Sequence, residues 1–378
     1  MRRFYFPGWV LAGFGAAVLG VLLLSVLAFA TNYQQLGNLI RVISLIHTHY
    51  LQEVPSTRLV EGAIEGMVRA LDDPYSVYLD PETYTHLTEQ IEGSFGGLGM
   101  LVGLKNRNLT VIKPFAGTPA ARAGIRAGDT ILEINDVNAR GIDLETALSL
   151  MRGPVGSRVT LTIRREGEPA PLRYELKREE IQIPTVETRM LDHRGLAYLA
   201  VTTFTEKTGE EFNAALARLQ REGMRALILD LRNNPGGELR AAAEVADAFL
   251  AGGPIVYIEH RTGKKQVISA DPRQIKLPLV VLVNESTASA AEIVAGAIKD
   301  AGAGVLLGTR TYGKGVVQTL FPLHNGAGLK LTTARYLTPR RHDLNRTGIT
   351  PDVIVAQPEN GAADVQLERA VTILEARI

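Results

Sequence analysis

The stretch "LPLVVLVNESTASAAEI", residues 277–293, joins an apolar run to a short polar turn and then to a segment rich in small residues. The run is typical of a buried strand and the last segment of a helix, so the stretch predicts a strand–turn–helix unit. Similar units recur from residue 181 onward, with helices expected at about 208–222, 239–251 and 289–302. Alternating buried strands and amphipathic helices predict an α/β core.

The chain before this core has two other patterns. Residues 36–71 repeat apolar side chains at helical spacing, and the acidic, proline-containing stretch 72–82 predicts a loop. Residues 94–180 contain short β-like runs separated by glycine-rich turns, with helices expected at "PAARAG" and "DLETALSLMRG". This region therefore predicts a small, mostly β domain.

The composition excludes several classes of function. The 378 residues carry a formal net charge of +1, which gives no global field for nucleic acid, and they include no cysteine. Disulfides, thiolate nucleophiles and cysteine-based metal sites are therefore ruled out. The length predicts two or three domains.

The amino terminus predicts export. Residues 9–30 form an apolar run of 22 residues with Ser25 as its one polar member, and Arg2 and Arg3 precede it. This run is long enough to span a membrane, and the arginines favour a cytoplasmic amino terminus. A cleaved signal peptide is the alternative, because "AFA" at 28–30 resembles a cleavage site. Both interpretations place the rest of the chain outside the cytoplasm.

Three hydroxyls in "NESTASAAE" raise the possibility of a nucleophile: Ser286, Thr287 and Ser289. Ligand sites on α/β sheets collect at the carboxyl ends of strands, where this turn is expected. We expect Asn284 or Ser286 to cap the helix, which leaves Ser289 without a structural role. On this motif alone, a buried serine satisfied within its helix remains the alternative to a nucleophile.

Two further turns follow predicted strands. In "LDLRNNPGG" (229–237), paired glycines let backbone N–H groups face a concave site and bind an oxyanion, although a tight turn with a surface ion pair explains the same residues. In "GTRTYGKGVVQT" (308–319), Lys314 lies between glycines. A surface lysine is the simple interpretation, but burial against Ser289 would lower its pKa from about 10.4 and make it a general base.

The histidines do not indicate a competing base. None of the seven lies in a strand-end turn beside a glycine-rich loop: His47, His49, His86, His193, His260, His324 and His342.

Taken together, six ordered blocks resemble the carboxyl-terminal processing proteases, which are serine peptidases with a serine–lysine pair. The blocks are "LVEGAIEGMVRALDDPYSVYLDPE" (59–82), "GGLGM" (96–100), "GTPAARAGIRAGDTILEINDV" (117–137), "LDLRNNPGG" (229–237), "VNESTASAAEI" (283–293) and "GTRTYGKGVVQT" (308–319). Ala291 stands where the family commonly has a third serine, which the chemistry does not need.

The resemblance implies a role for each matching position. Ser289 would be the nucleophile, Lys314 its general base and Gln318 the residue that holds the lysine. The backbone N–H groups of Gly237 and Ala290 would stabilise the oxyanion. No metal or organic cofactor is implied.

The β-rich domain resembles a PDZ domain, in which a "GLG" loop binds the carboxylate of a chain terminus. The loop here would be Gly97, Leu98 and Gly99, with the helix around 147–151 as the other wall of the groove. Arg152, at the end of that helix, is a candidate for a gate between the groove and the catalytic site.

The sequence thus predicts an α/β (α+β) peptidase core of strand–helix units with an inserted PDZ domain and an N-terminal transmembrane helix. The expected segments are 1–31 (anchor or signal), 32–92 (helical region), 93–180 (PDZ domain) and 181–378 (peptidase core). The expected function is an exported serine endopeptidase that binds protein substrates by their C-terminal tails, with no nucleic acid partner. The apolar surface of 36–71 predicts a homodimer. A membrane-tethered PDZ scaffold with an inactive core is the alternative.

Overall fold

The computed structural model of the protein describes residues 36–105, 108–191, 194–358 and 363–378. The chain divides into two compact units, Met1–Tyr78 and Leu79–Ile378. The apolar run at 9–30 lies outside the described residues. Within the described part of the chain, no helix combines the length and apolarity needed to cross a membrane.

The first unit is helical, as its periodicity predicts. Helix α1 covers 36–49 and α2 covers Ser56–Arg69, so the expected helical region is interrupted around 50–55. Pro55 explains the break, because proline disfavours helical geometry in the residue before it and then fits the start of the next helix. The predicted loop at 72–82 contains the short strand β1 (Val77–Leu79).

The second unit contains seven helices among its described residues. They are α3 (Pro81–Glu92), α4 (Pro119–Arg122), α5 (Leu144–Met151), α6 (Thr208–Arg221), α7 (Leu239–Asp247), α8 (Ala290–Ala301) and α9 (Val365–Glu375). Its strands that begin before residue 200 are β2 (Ser94–Gly97), β3 (Met100–Lys105), β4 (Asn108–Pro114), β5 (Thr130–Ile134), β6 (Val137–Asn138), β7 (Arg158–Arg164), β8 (Leu172–Lys177), β9 (Glu179–Gln182), β10 (Val186–Met190) and β11 (Leu196–Val201). The later strands are β12 (Ala226–Asp230), β13 (Gly253–His260), β14 (Lys265–Ala270), β15 (Leu279–Val283), β16 (Val305–Gly308), β17 (Val316–Pro322), β18 (Gly328–Leu337) and β19 (Val353–Ile354).

The core of this unit is a six-stranded sheet in the order β10-β11-β12-β15-β16-β19. Strands β11 to β19 of this sheet run parallel, and β10 is antiparallel to β11. Leu227 and Leu229 pack with helices α6, α7 and α8 on one face, whereas Ile228 packs with α9 on the other. Burial of both faces explains why these strands are continuous apolar runs in the sequence.

A second sheet packs against helices α7 and α8 and is antiparallel, with β17, β18, β13 and β14 as neighbours. These strands were not predicted from the sequence. Their residues mix polar and apolar side chains, and no helix separates β13 from β14 or β17 from β18, so the strand–helix alternation of the core is absent within each pair.

The β-rich domain is inserted into the core through one short ladder. Strand β2 pairs antiparallel with β9, with Ser94 opposite Gln182 and Gly97 opposite Glu179. This ladder brings the two ends of the intervening segment together. Between them, β3-β4-β5-β7-β8 form a sheet with β6 on its β5, and the domain has a separate apolar core around Leu161.

Candidate active site

Three loops that carry the predicted catalytic residues meet at one edge of the parallel sheet. Strands β12, β15 and β16 are neighbours in the sheet, and they are followed by the loops 231–238, 284–289 and 309–315. The carboxyl ends of parallel strands share one edge, so residues more than eighty positions apart in sequence lie together.

Side-chain amides and hydroxyls fasten the first two loops to each other. Asn284 accepts a hydrogen bond from the Asn233 backbone N–H at 2.9 Å, and its amide donates to the Asn233 side chain at 2.8 Å. The Thr287 hydroxyl donates to the Leu231 carbonyl at 2.8 Å, and the Ala288 N–H donates to the Asn234 carbonyl at 2.9 Å. Asn284 and Thr287 therefore stabilise the turn and are not left for chemistry.

Ser289 is the N-cap of α8, so the expectation that Asn284 or Ser286 would cap this helix was wrong. Its backbone has φ 54° and ψ −118°, a conformation that non-glycine residues rarely adopt. Such strain costs on the order of 1–3 kcal/mol and persists only where the surroundings enforce it. Asn284 is used instead to hold the loop before the cap.

The glycine turn of the first loop lies directly against Ser289. Gly236 has φ 100°, and a Cβ atom there would lie 2.8 Å from the Cβ of Ser289. Gly237 has φ 133°, and a Cβ atom there would lie 1.9 Å from the Phe204 carbonyl oxygen. Only glycine fits both positions, which explains why the sequence has a pair of them.

One buried carboxylate connects the second and third loops. Glu292 is fully buried and accepts hydrogen bonds from the backbone N–H groups of Ser289 and Lys314, both at 2.9 Å. It also accepts from the Gly313 N–H at 2.8 Å and from the Thr311 hydroxyl at 2.5 Å. A single side chain thus fixes the backbone at both the serine and the lysine.

Tyr336 makes a second connection between the same two residues. Its buried hydroxyl lies 3.1 Å from the Ser289 carbonyl oxygen and is in hydrogen-bond contact with the Lys314 carbonyl oxygen. Its backbone N–H donates to the Gly315 carbonyl at 3.0 Å. Tyr336 therefore binds the carbonyl groups of Ser289 and Lys314, whereas Glu292 binds their backbone N–H groups.

All five residues expected to perform catalysis line one cavity of about 420 Å³: Gly237, Ser289, Ala290, Lys314 and Gln318. The Gln318 amide lies 3.4 Å from the Thr332 hydroxyl on β18. Apolar side chains from α3, α7, α8 and β17 form most of the remaining wall, and none of the described histidines lines it.

Arg232, which sequence reasoning could interpret as half of a surface ion pair, is instead the centre of a largely buried network. Its guanidinium donates to Asp230 at 2.6 Å and to both carboxylate oxygens of Asp364 at 2.8 Å. Hydrogen bonds from Arg232 hold the pKa of Asp364 below its ordinary value. Burial tends to lower the pKa of Arg232, but the two carboxylates raise it above its usual range. The network ties the first loop to helix α9.

The expected peptide-binding loop lies between β2 and β3 of the inserted domain. The Leu98 carbonyl accepts from the Ala120 N–H at 2.9 Å. Carbonyl and N–H groups point in opposite directions across a trans peptide, so the Gly99 N–H points away from Ala120. Gly99 itself has φ 71°, in the left-handed region. This loop is in the inserted domain and does not line the catalytic cavity.

Arg152 is the C-cap of α5, and its guanidinium lies over the ring of Phe95 at 4.5 Å from the ring centre. Phe95 belongs to β2, the strand that joins the inserted domain to the core. The Arg152 Nε atom is buried and has no hydrogen-bond partner within the described part of the chain. The side chain thus contacts the connection between the two domains and not the catalytic cavity.

Sequence reasoning missed three residues that hold the site together. Glu292 had a local signal, because serine followed three residues later by glutamate is a capping pattern. Tyr336 and Asp364 had none, since their partners are far away in sequence.

Comparisons with known proteins agree with this architecture. Residues 195–355 match peptidase family S41, residues 113–165 match a PDZ domain, and residues 27–83 match the N-terminal domain of the activating protease CtpB.

Whole-chain relatives extend these matches. The chain is 35% identical over 339 residues to the carboxy-terminal processing protease CtpB of Bacillus subtilis, covering 88% of this chain and 70% of that protein. It is 40% identical over 337 residues to the carboxy-terminal-processing protease of Bartonella bacilliformis, covering 86% of this chain and 76% of that protein. The solved structure of a photosystem II D1 C-terminal processing protease matches with a TM-score of 0.52 and 32% identity, over 89% of this chain and 90% of that one.

The fold and these matches define a serine-type peptidase that carries a PDZ domain. The chain belongs to peptidase family S41, among the carboxy-terminal processing proteases.

Glu292→Gln tests the connection between the serine and lysine loops. An amide has one acceptor oxygen in place of two, so some of the four donors lose their partner inside a buried site. We expect the free energy of unfolding to fall by about 2–4 kcal/mol, and peptide cleavage to fall at least about tenfold. Chemical denaturation and initial-rate assays measure the two effects.

Glu285→Gln is the matched control, because it makes the same chemical change on an exposed carboxylate in the loop before α8, where the Thr309 hydroxyl can donate to an amide oxygen as it does to the carboxylate. Its effect on stability should stay within about 0.5 kcal/mol. Equal behaviour of the two variants would contradict the role given to Glu292.

Proposed function

We propose that this protein is an exported serine endopeptidase that selects protein substrates by their C-terminal tails and cleaves them with Ser289, Lys314 and Gln318. The observation that carries the proposal is the single cavity on which these residues converge, with Glu292 and Tyr336 holding the serine and lysine in register.

In the proposed mechanism, Lys314 in its neutral form accepts the proton of the Ser289 hydroxyl while the serine oxygen attacks the scissile carbonyl carbon. The backbone N–H groups of Gly237 and Ala290 stabilise the negative charge on the carbonyl oxygen. Lys314 then gives the proton to the leaving amine, and an acyl-enzyme ester remains on Ser289. Lys314 deprotonates a water molecule that attacks the ester, and it then gives this proton to the leaving Ser289 oxygen as the new carboxyl terminus is released.

This mechanism requires Lys314 to lose its charge near neutral pH. Its side chain is half-buried, and Ile293 and Val316 line the same cavity, so the charged form is poorly solvated. Gln318 would hold the amine toward Ser289 from β17.

Ser289→Ala and Lys314→Ala should each reduce cleavage of an unfolded protein by at least about a thousandfold, because each removes a group that bonds to the reacting atoms. Gln318→Ala should lose less, about ten- to a hundredfold. The wild-type rate should rise with pH through the neutral range, since only the unprotonated lysine accepts a proton. Initial rates across pH measure this.

Intact folding of the inactive variants, checked by thermal unfolding, is the control. Persistent cleavage by Ser289→Ala would contradict the choice of nucleophile. An inactive wild type would instead favour the PDZ scaffold as the function.

For the inserted domain, the proposal assigns tail binding to Gly97, Leu98 and Gly99 and gating to Arg152. The Gly99 backbone N–H points away from Ala120, which suits a carboxylate site. Arg152 contacts Phe95 on the connecting strand, so a tail that displaces α5 would also move this contact.

A substrate with a free terminal carboxylate should be cleaved about tenfold faster than the same substrate ending in an amide, because the amide removes the charge that the loop binds. Arg152→Ala should change the ratio of these two rates, whereas Arg140→Ala, an exposed arginine of the same domain, should not. Matched peptides in a continuous cleavage assay measure the ratio. A ratio of one in the wild type would contradict tail recognition.

The proposal also places the protein at the membrane, with 9–30 as its anchor and the catalytic part outside the cytoplasm. Exposed apolar side chains of α1 and α2, such as Leu36, Ile40 and Met67, would pair two copies. Fractionation of cells should therefore find the full chain with the membrane, and chemical cross-linking of that fraction should give a dimer. A soluble chain beginning after residue 30 would indicate a cleaved signal, and a monomer would contradict the pairing.

A further inference from the structure

A second lysine lines the catalytic cavity and has no part in the proposed mechanism. Lys330 lies on β18, is half-buried, and shares the cavity with Ser289 and Lys314. The position of Lys330 raises the question of what a second positive charge does close to the bond that the enzyme is proposed to cleave.

The strand register fixes where Lys330 lies along the cavity. In the β17–β18 ladder, Gln318 is opposite Thr332 and Leu320 is opposite Lys330. Residues directly opposite each other, and residues two apart on one strand, project from the same face of a sheet. Lys330 therefore follows the Gln318 position by one repeat of about 7 Å, on the side away from Lys314.

The charge of Lys330 is not neutralised by its neighbours. Its ammonium group makes no ion pair or hydrogen bond with another residue of the described chain. The one acidic residue on the described cavity wall is Glu238, whose carboxylate accepts from the Ala241 N–H at 2.6 Å and caps helix α7.

Much of the wall of the cavity that Lys330 lines is apolar. Leu87 and Ile91 from α3, together with Leu320, line the same cavity. Ionic attraction is stronger next to apolar walls than in open solvent, and a cation there gains most from a partner of opposite charge. A substrate strand rises about 3.3 Å per residue, so a residue within two or three positions of the scissile bond reaches this point.

We propose that Lys330 is a specificity-determining residue that binds a carboxylate of the substrate close to the scissile bond, the side chain of an aspartate or glutamate. This inference rests on the proposed peptidase function and adds the class of residue that the catalytic cavity selects. The cleavage site is thus chosen partly by charge, separately from the tail bound by the inserted domain.

The test uses quenched peptides of one sequence and one common tail, in which each of the three positions on either side of the scissile bond is changed from glutamine to glutamate. For the wild type, we expect one position at which glutamate raises kcat/KM by about tenfold. Lys330→Met should bring that ratio to about one, and Lys330→Arg should keep most of it. Lys264→Met, which removes an exposed lysine of the β13–β14 turn, should leave it unchanged.

A second set of neutral peptides that end within three residues of the scissile bond separates the two sources of a carboxylate. The wild type could prefer the free ends over their amides, lose this preference in Lys330→Met, and show no preference for internal glutamate. That result would mean that Lys330 binds chain termini, and it would overturn the side-chain proposal.

Other outcomes also decide. An unchanged glutamate preference in a folded Lys330→Met variant overturns the proposal. The proposal is also overturned if Lys330→Met lowers kcat/KM equally for all peptides and shifts the pH profile of the rate, because Lys330 would then act on Lys314. If the wild type cleaves no peptide, the proposed function fails, and binding of the same peptides to Ser289→Ala with and without Lys330→Met, followed by fluorescence anisotropy, still tests the preference for glutamate.

Discussion

The arrangement of the candidate catalytic cavity depends on the buried carboxylate of Glu292. It binds the backbone of Ser289 from within the same helical turn and the backbone of Lys314 from a loop after the next strand. A buried carboxylate is costly unless donors surround it, and here four donors do so. The same contacts that satisfy its charge keep Ser289 in an unfavourable conformation at the start of α8.

The parallel sheet supplies the conditions for this clamp. Because β12, β15 and β16 are adjacent in the sheet, the loops that follow them lie next to one another at the same edge. The glycines at 236 and 237 then allow the first loop to approach the serine closely. The inserted domain is joined to the core by the β2–β9 ladder.

Much of the fold of the core and much of the composition of the candidate site were predictable from local sequence patterns. The helices α6 and α8 and the buried strands between them follow from apolar periodicity, and the placement of Ser289, Lys314 and Gly237 at strand ends follows from the polar turns after those strands. The antiparallel sheet was not predictable in this way, because β17 and β18 lack the alternation with helices that marked the core. The helix cap was misassigned because Asn284, a good capping residue, is instead paired with Asn233.

The sequence by itself determined the composition of the site: a serine among alanines, a lysine between glycines and a paired-glycine turn, each after a buried strand. Only the tertiary structure decided that Glu292 and Tyr336 hold the serine and lysine loops and that Lys330 lines the cavity, because these residues lie on separate elements. Periodicity and turn chemistry are properties of neighbouring residues, whereas a shared hydrogen-bond acceptor and an unpaired charge on a cavity wall depend on how distant strands are registered.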